Sequence, residues 1–364
     1  MRYGFAVLVA LALVALPAGA QVVDVTPPDV SCGGDDGTWH AGNVLIACTA
    51  TDPESGIPDP ADQAFSLTTA VSIDDETANA STDTRQVCNG ATPTPLCTAA
   101  GPITGIKIDR KAPVDPTQVR SSDHTIGKWS RDRTIAMSFN AGADGGSGVD
   151  GFSRSWTRSA SSLPDAVKDL EQGARRATSP RLGNGRWWFH LRTRDNVGNW
   201  TTTVHRGAYL IDFARPSVRA LSGSGKTRKA MRLRYRTGDN NGRTRERVTI
   251  ARSGKVLRTW SRGMAIARFS TVQSVGWTPQ AAGRYSLCVT AWDPAGNSRR
   301  DCAAIGVTNP APPPSRCHPS YPTVCIPPPP PDLDCGDIRH RNFVVRPPDP
   351  HNFDGDHDGR GCES

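Results

Sequence analysis

The residue types best suited to chemistry stand at the end of the chain. Asp354, Asp356 and Asp358 alternate, and Gly359 follows them. This is the order of positions one, three, five and six in a calcium loop of the EF-hand type. Alternate side chains can point into one concavity, their hard carboxylate oxygens suit a hard cation such as Ca2+, and the glycine permits a sharp turn. The backbone carbonyl of Arg360 falls at position seven. The pattern then departs from the full loop. No glutamate stands at position twelve, Glu363 is at position ten, and Pro347, Pro348 and Pro350 argue against a preceding helix. Elsewhere the histidines are scattered, with neither H-E-x-x-H nor a Ser/His/Asp order, so no catalytic residues are expected and the chain is read as not an enzyme. The run from Ala220 to Thr227, ALSGSGKT, imitates a phosphate loop. An arginine-rich alternating strand follows it, not the helix a nucleotide site requires.

Positioning such a loop requires a folded, exported chain. The 364 residues include 35 Gly and 30 Pro, too few for a low-complexity chain and compatible with several domains. The only long apolar stretch, Phe5 to Leu16, is too short to span a membrane. With Arg2 before it and Pro17-Ala18-Gly19-Ala20 after it, it reads as a signal peptide over 1–20, cleaved before Gln21 and leaving no membrane span. The absence of a cysteine at that junction argues against a lipid anchor, and no sorting signal is evident at the other end. The expectation is a secreted or cell-surface-associated protein.

Export places the ten cysteines where disulfides persist. There are no C-x-x-C knuckles for zinc. Spacing suggests local pairs, Cys32–Cys48, Cys88–Cys97, Cys288–Cys302, Cys317–Cys325 and Cys335–Cys362, although connectivity stays open at this level.

Two phrases recur. Ile108-Asp109-Arg110-Lys111-Ala112-Pro113 returns as Ile211-Asp212-Phe213-Ala214-Arg215-Pro216, and Asp195-Asn196-Val197-Gly198-Asn199 returns as Asp293-Pro294-Ala295-Gly296-Asn297. The common period of about one hundred residues is the size of an immunoglobulin-like sandwich. It divides the chain into units at 22–110, 111–214 and 215–307, a proline-rich linker at 308–331 and a small module at 332–364. Met231 to Tyr235 and Tyr285 to Trp292 alternate as half-buried strands do, so the fold class is all-β. Folding the chain at Ala295 sets Cys288 opposite Cys302, and the corresponding pair in the second unit is His190 and Val204. One helical turn is expected at Pro164–Gln172, with Val167 and Leu170 facing inward.

NVLIACTATDPESGI (43–57), GADGGSGVDGFSRSW (142–156), WWFHLRTRDNVGNW (187–200) and YSLCVTAWDPAGN (285–297) resemble the Ig-like and fibronectin-type-III-like repeats of bacterial secreted and surface proteins. The first unit departs from these repeats, with Cys88 to Cys97 in place of a CDxAGNC turn. The ending DPHNFDGDHDGRGCE, preceded by YPTVCIPPPPPDLDC (321–335), resembles the excalibur module, a small extracellular domain regarded as calcium-binding. The resemblance covers roughly the last fifty residues. It implies Asp354, Asp356, Asp358 and Glu363 as calcium ligands, and His357, where a small or acidic residue is usual, implies reduced affinity.

Charge is uneven. The net values are −10, +5 and +15 over the three units and −3 over residues 308–364. A basic third unit suits a polyanion such as a cell-wall polymer, or an end-to-end contact with the acidic first unit of another copy. It suits no specific nucleic-acid readout. Arg232-Leu233-Arg234-Tyr235-Arg236 puts its charges on one exposed strand face. Among the nine tryptophans, Trp156, Trp277 and Trp292 are expected in cores, and one of Trp187 and Trp188 outside. The overall expectation is a non-enzymatic spacer or adhesion protein with a calcium module. The alternative is an envelope protein that binds carbohydrate or polyanion through the third unit.

Overall fold

The computed structural model describes residues 23–310 and 317–363. The export signal read at 1–20 and residues 311–316 of the proline-rich linker lie outside the described residues. The chain divides into two compact units, Met1–Phe213 and Ala214–Ser364. No helix among the described residues is long and apolar enough to cross a membrane.

The first unit holds two sandwiches. The first comprises β1 (Asp29–Cys32), β2 (Trp39–His40), β3 (Leu45–Thr51), α1 (Pro60–Gln63), β4 (Ala64–Thr68), β5 (Glu76–Ala80), β6 (Arg85–Cys88), β7 (Cys97–Ala100) and β8 (Ile106–Asp109). Its sheets are ordered β1-β3-β4 and β2-β8-β5, and β6-β7 is an added hairpin. Residues of β3 alternate, with Ile46, Cys48 and Ala50 buried and their neighbours exposed, as a sheet with one wet face requires. Asp59 caps α1 by accepting from the Ala61 amide, with Pro60 in the first turn.

The second sandwich comprises β9 (Thr117–Ser121), β10 (Trp129–Ser130), β11 (Ala136–Asn140), β12 (Val149–Thr157), β13 (Leu170–Glu171), β14 (Arg176–Thr178), β15 (Gly185–Asp195) and β16 (Val204–Ile211). The third, in the second unit, comprises β17 (Ser217–Ala220), β18 (Gly223–Lys226), β19 (Met231–Gly238), β20 (Arg243–Arg252), β21 (Lys255–Ile266), β22 (Gln273–Trp277), β23 (Gly283–Trp292) and β24 (Ser298–Thr308). These two share one plan. Three-stranded sheets β9-β11-β14 and β17-β19-β22 face five-stranded sheets β10-β16-β15-β12-β13 and β18-β24-β23-β20-β21. In each, the second strand runs parallel to the last. Both are immunoglobulin-like sandwiches, and the chain is an all-β tandem array. Phe152, Phe189, Leu191 and Ile211 fill the second core, and Leu233, Tyr235, Ile250 and Leu287 fill the third.

Several local expectations change. Pro164–Gln172 forms no helix. Leu170–Glu171 pairs with β12 as an edge strand, and Val167 is exposed. A single isolated turn cannot compete with a sheet edge that offers backbone partners. His190 pairs with His205, not with Val204. Arg194 bridges Trp200 close to the turn, and one extra residue is absorbed before Val204. Trp187 and Trp188 are both half-buried, because the register shifts between them and breaks the alternation. Trp277 is core and Trp156 packs against a core. Trp292, however, lies outside the core, 5.0 and 5.7 Å from the guanidinium carbons of Arg245 and Arg247. Trp200 is placed likewise beside Arg192 and Arg194. The phosphate-loop imitation contributes β18, an extended strand that pairs with β24.

The tail closes with β25 (Phe343–Val344) paired to β26 (Arg360–Gly361). Its core contains Tyr321, Ile326, Phe343, Val345, Phe353 and Cys362. Tyr321 and Ile326 precede residue 331, where the linker was expected to end. The core of the module therefore takes in residues from Tyr321 onward, because apolar residues between the prolines have a core to join.

Candidate metal centre

The acidic loop is held from within the module. Asp354 is buried to 8% exposure, and its two carboxylate oxygens accept from the amides of Asp358 and Gly359 at 3.0 and 2.9 Å. Asp358 in turn accepts from the Arg360 amide at 2.9 Å. Gly359 has φ +86°, a left-handed conformation that side chains resist. The amides of Val345 and Cys362 donate to Gly359 and Phe353, tying both ends of the turn to the core. Asp349 braces the base of the loop. One of its oxygens takes the Tyr321 hydroxyl at 2.6 Å and the other the Asp354 amide at 2.8 Å. Burial, and then this carboxylate, push the Tyr321 hydroxyl pKa upward.

Asp354, Asp356 and Asp358 each offer an oxygen, all within 4.8 Å of one another. Asp356 and Asp358 are exposed, and a cavity of about 350 Å³ lined by Asp349, Asn352, Asp354 and His357 adjoins them. Glu363 is exposed and stands outside this group. The Arg360 side chain reaches the carbonyl and side-chain oxygens of Asn342. Three hard oxygen donors on a preformed turn fit a hard cation. The hydrogen bonds to Asp354 orient its oxygens without using all their lone pairs.

Five disulfides join Cys32 to Cys48, Cys88 to Cys97, Cys288 to Cys302, Cys317 to Cys325 and Cys335 to Cys362. The Cys288–Cys302 bridge spans a rung of the β23–β24 ladder.

The recurring phrases meet between the first two sandwiches, which sequence reasoning missed. Asp109, fully buried at the end of β8, accepts from the Ser147 amide at 2.8 Å, and its carbonyl accepts from Asn199 Nδ2 at 3.1 Å. Asn199 is itself held by Asp195 through its amide at 2.8 Å and its Nδ2 at 2.7 Å. The Asp-x-x-Gly-Asn turn of the second sandwich thus grips the end of the first. Asp293 and Asn297 repeat the internal half of this arrangement in the third.

The grip gathers Glu76, Asp109 and Asp144. Burial, and then the nearby charges of Asp109, Asp195 and Glu76, raise the Asp144 pKa above the ordinary carboxylate range. A raised folded-state pKa gives stability that is full below the unfolded value and is lost as pH rises through the folded one. Asp144→Asn keeps an acceptor for the Gly148 amide and removes the charge. The first unit should therefore melt about 2 °C higher at pH 7, with the gain vanishing in acid. Calorimetry across pH 3–7 checks this, and a lower midpoint at neutral pH would refute it.

No protein-family model matches the chain, and neither does any curated protein. Solved structures align at low identity. The fibronectin(III)-like modules of Clostridium thermocellum CbhA are 14% identical, covering 53% of this chain and 95% of theirs, with a TM-score of 0.26. An I-band fragment of titin is 9% identical, covering 78% and 100%, with a TM-score of 0.37. A tetra-tandem repeat from the extending region of a large adhesion protein is 16% identical, covering 78% and 74%, with a TM-score of 0.26. At these scores the strand order itself carries the fold assignment.

Proposed function

We propose that this chain is a secreted, non-enzymatic spacer of the adhesion type whose C-terminal module binds calcium. The observation that carries the reading is the carboxylate triplet Asp354, Asp356 and Asp358 on a turn already braced by Asp349 and by the backbone. A bound Ca2+ would supply charge neutralisation, holding together three carboxylates that otherwise repel. The chain's own part is to fix the turn through Asp354 and Gly359, and to anchor it on Tyr321 and Phe353. Extracellular calcium near millimolar would fill a site of ~10⁻⁴–10⁻³ M affinity. The tandem sandwiches, the first and third stapled by local disulfides, suit a role outside the cell.

The test is calorimetric titration of calcium into the whole oxidised chain. Binding in that range is expected, weakened at least ~10-fold by Asp356→Asn. Asp356 is exposed, and the hydrogen bonds described for the turn run through Asp349, Asp354 and Asp358, so its substitution leaves the fold intact. No heat at millimolar calcium, or equal binding by the variant, would remove calcium from the reading.

A further inference from the structure

In each sandwich one three-stranded sheet, β1-β3-β4, β9-β11-β14 or β17-β19-β22, has a central strand with one outward face. In the first sandwich that face carries Leu45, Ala47, Thr49 and Thr51, and in the second Ala136, Ser138 and Asn140. In the third it carries Arg232, Arg234 and Arg236, with Leu233 and Tyr235 buried between them. The architecture is shared, so the sheet itself does not require arginine there.

The placement is unfavourable in isolation. Arg219 on β17 lies directly across from Arg236, and like charges facing each other across strands destabilise a sheet. Among the described residues no carboxylate pairs with Arg219, Arg232, Arg234 or Arg236, and Arg236 Nε is buried with no acceptor. The unit's own acids are committed elsewhere. Asp239 takes the Asn241 amide, Glu246 is buried and takes the hydroxyls of Tyr235 and Thr237, Asp293 is buried in its turn, and Asp301 takes the Ala220 amide. Among the described residues, Arg232 donates to the Ser274 hydroxyl at 3.2 Å.

We infer that this face of β17-β19-β22 binds an acidic polysaccharide whose repeated anionic groups lie along β19. Arginines at i, i+2 and i+4 recur every ~6.7 Å, each offering a planar fork suited to carboxylate or sulfate. No aromatic residue stands among the outward positions of β19, because Tyr235 points into the core. Bases would therefore find no stacking platform of the kind single-stranded nucleic acids use. A second copy of the chain is a poorer occupant, since carboxylates of the acidic first sandwich already serve their own domain. Asp52 holds the Ser55 and Glu54 amides, Asp62 the Arg85 guanidinium and Asp83 the Thr68 amide.

The test uses the full chain on immobilised dextran sulfate and on polygalacturonate, across a salt series with chelator present. One variant combines Arg232→Gln, Arg234→Gln and Arg236→Gln. The other removes equal charge from the opposite sheet through Arg245→Gln, Arg247→Gln and Arg300→Gln. The first should bind at least ~10-fold more weakly, with a log–log salt slope lower by about two to three, while the second changes little. Its melting midpoint should hold or rise, because the Arg219 repulsion is relieved. Equal losses in both variants would show diffuse charge without a site. Tighter retention by single-stranded DNA, or salt-sensitive self-association without polysaccharide retention, would overturn the proposal in favour of those occupants.

Discussion

Replacing Cys335 and Cys362 together by alanine is expected to unfold residues 317–363 and leave the three sandwiches folded. The module's core consists of six buried residues, with Tyr321 at the centre of edge contacts to Phe343 and Phe353. A core of that size supplies only ~3–5 kcal/mol, and chains this short usually need a staple. The bridge closes a separation of 27 residues, worth roughly 3.5 kcal/mol by loop entropy, and Cys362 is itself part of the core. Its loss therefore consumes most of the stability available. The separation of 8 between Cys317 and Cys325 should make that bridge the lesser of the two. Hydrogen exchange on the whole chain provides the measurement. The Val345 and Cys362 amides, bonded to Gly359 and Phe353, should lose protection while the amides of β23 keep theirs. Protection retained in the module would show that packing alone suffices.

The strands that can be read directly are those whose alternation is strict. Tyr285 to Trp292 lies within β23, and Met231 to Tyr235 within β19. Alternation reports which face is buried and says nothing of which strand lies alongside. The parallel pairing of β10 with β16 and of β18 with β24 is therefore invisible locally, and so is the reduced first sandwich. The placement of Cys288 opposite Cys302 follows from an unbroken hairpin, whereas one absorbed residue moves His190 from Val204 to His205. A single such shift reassigns every partner beyond it. Trp292 reads as core from its position at the end of an alternating run, yet it lies under two arginines, because a guanidinium stacks on an indole as readily as an aliphatic chain does. The carboxylate triplet was legible because its spacing is local. The bracing of its loop by Asp349 was not, since Asp349 acts through Tyr321, a residue 28 positions away.

The His190–His205 rung leads to the second large effect. His190 is fully buried, its Nδ1 is 2.7 Å from His205 Nδ1, and its Nε2 is 2.8 Å from the Thr157 hydroxyl. The short Nδ1 pair needs one donor and one acceptor, so the two rings cannot both be fully protonated. Burial, and then the neighbouring His205, push the His190 pKa down from 6.5 to about 4. Because the folded value is depressed, the unfolded chain binds more protons between these values. Stability is therefore full above about 6.5 and is lost as pH falls toward about 4, a loss on the order of 2 kcal/mol. The third sandwich carries the Cys288–Cys302 bridge on its corresponding hairpin. His190→Cys with His205→Cys should accordingly oxidise to a cross-strand disulfide, and closing a loop of ~15 residues is worth about 3 kcal/mol over the reduced form. It should also remove His190's share of the acid sensitivity. Urea unfolding of the first unit's signal from pH 4 to 7, with and without reductant, measures both effects. Failure of the cysteines to join would show that the rung is too splayed for a bridge. An undiminished acid slope in the joined form would place the sensitivity on another group.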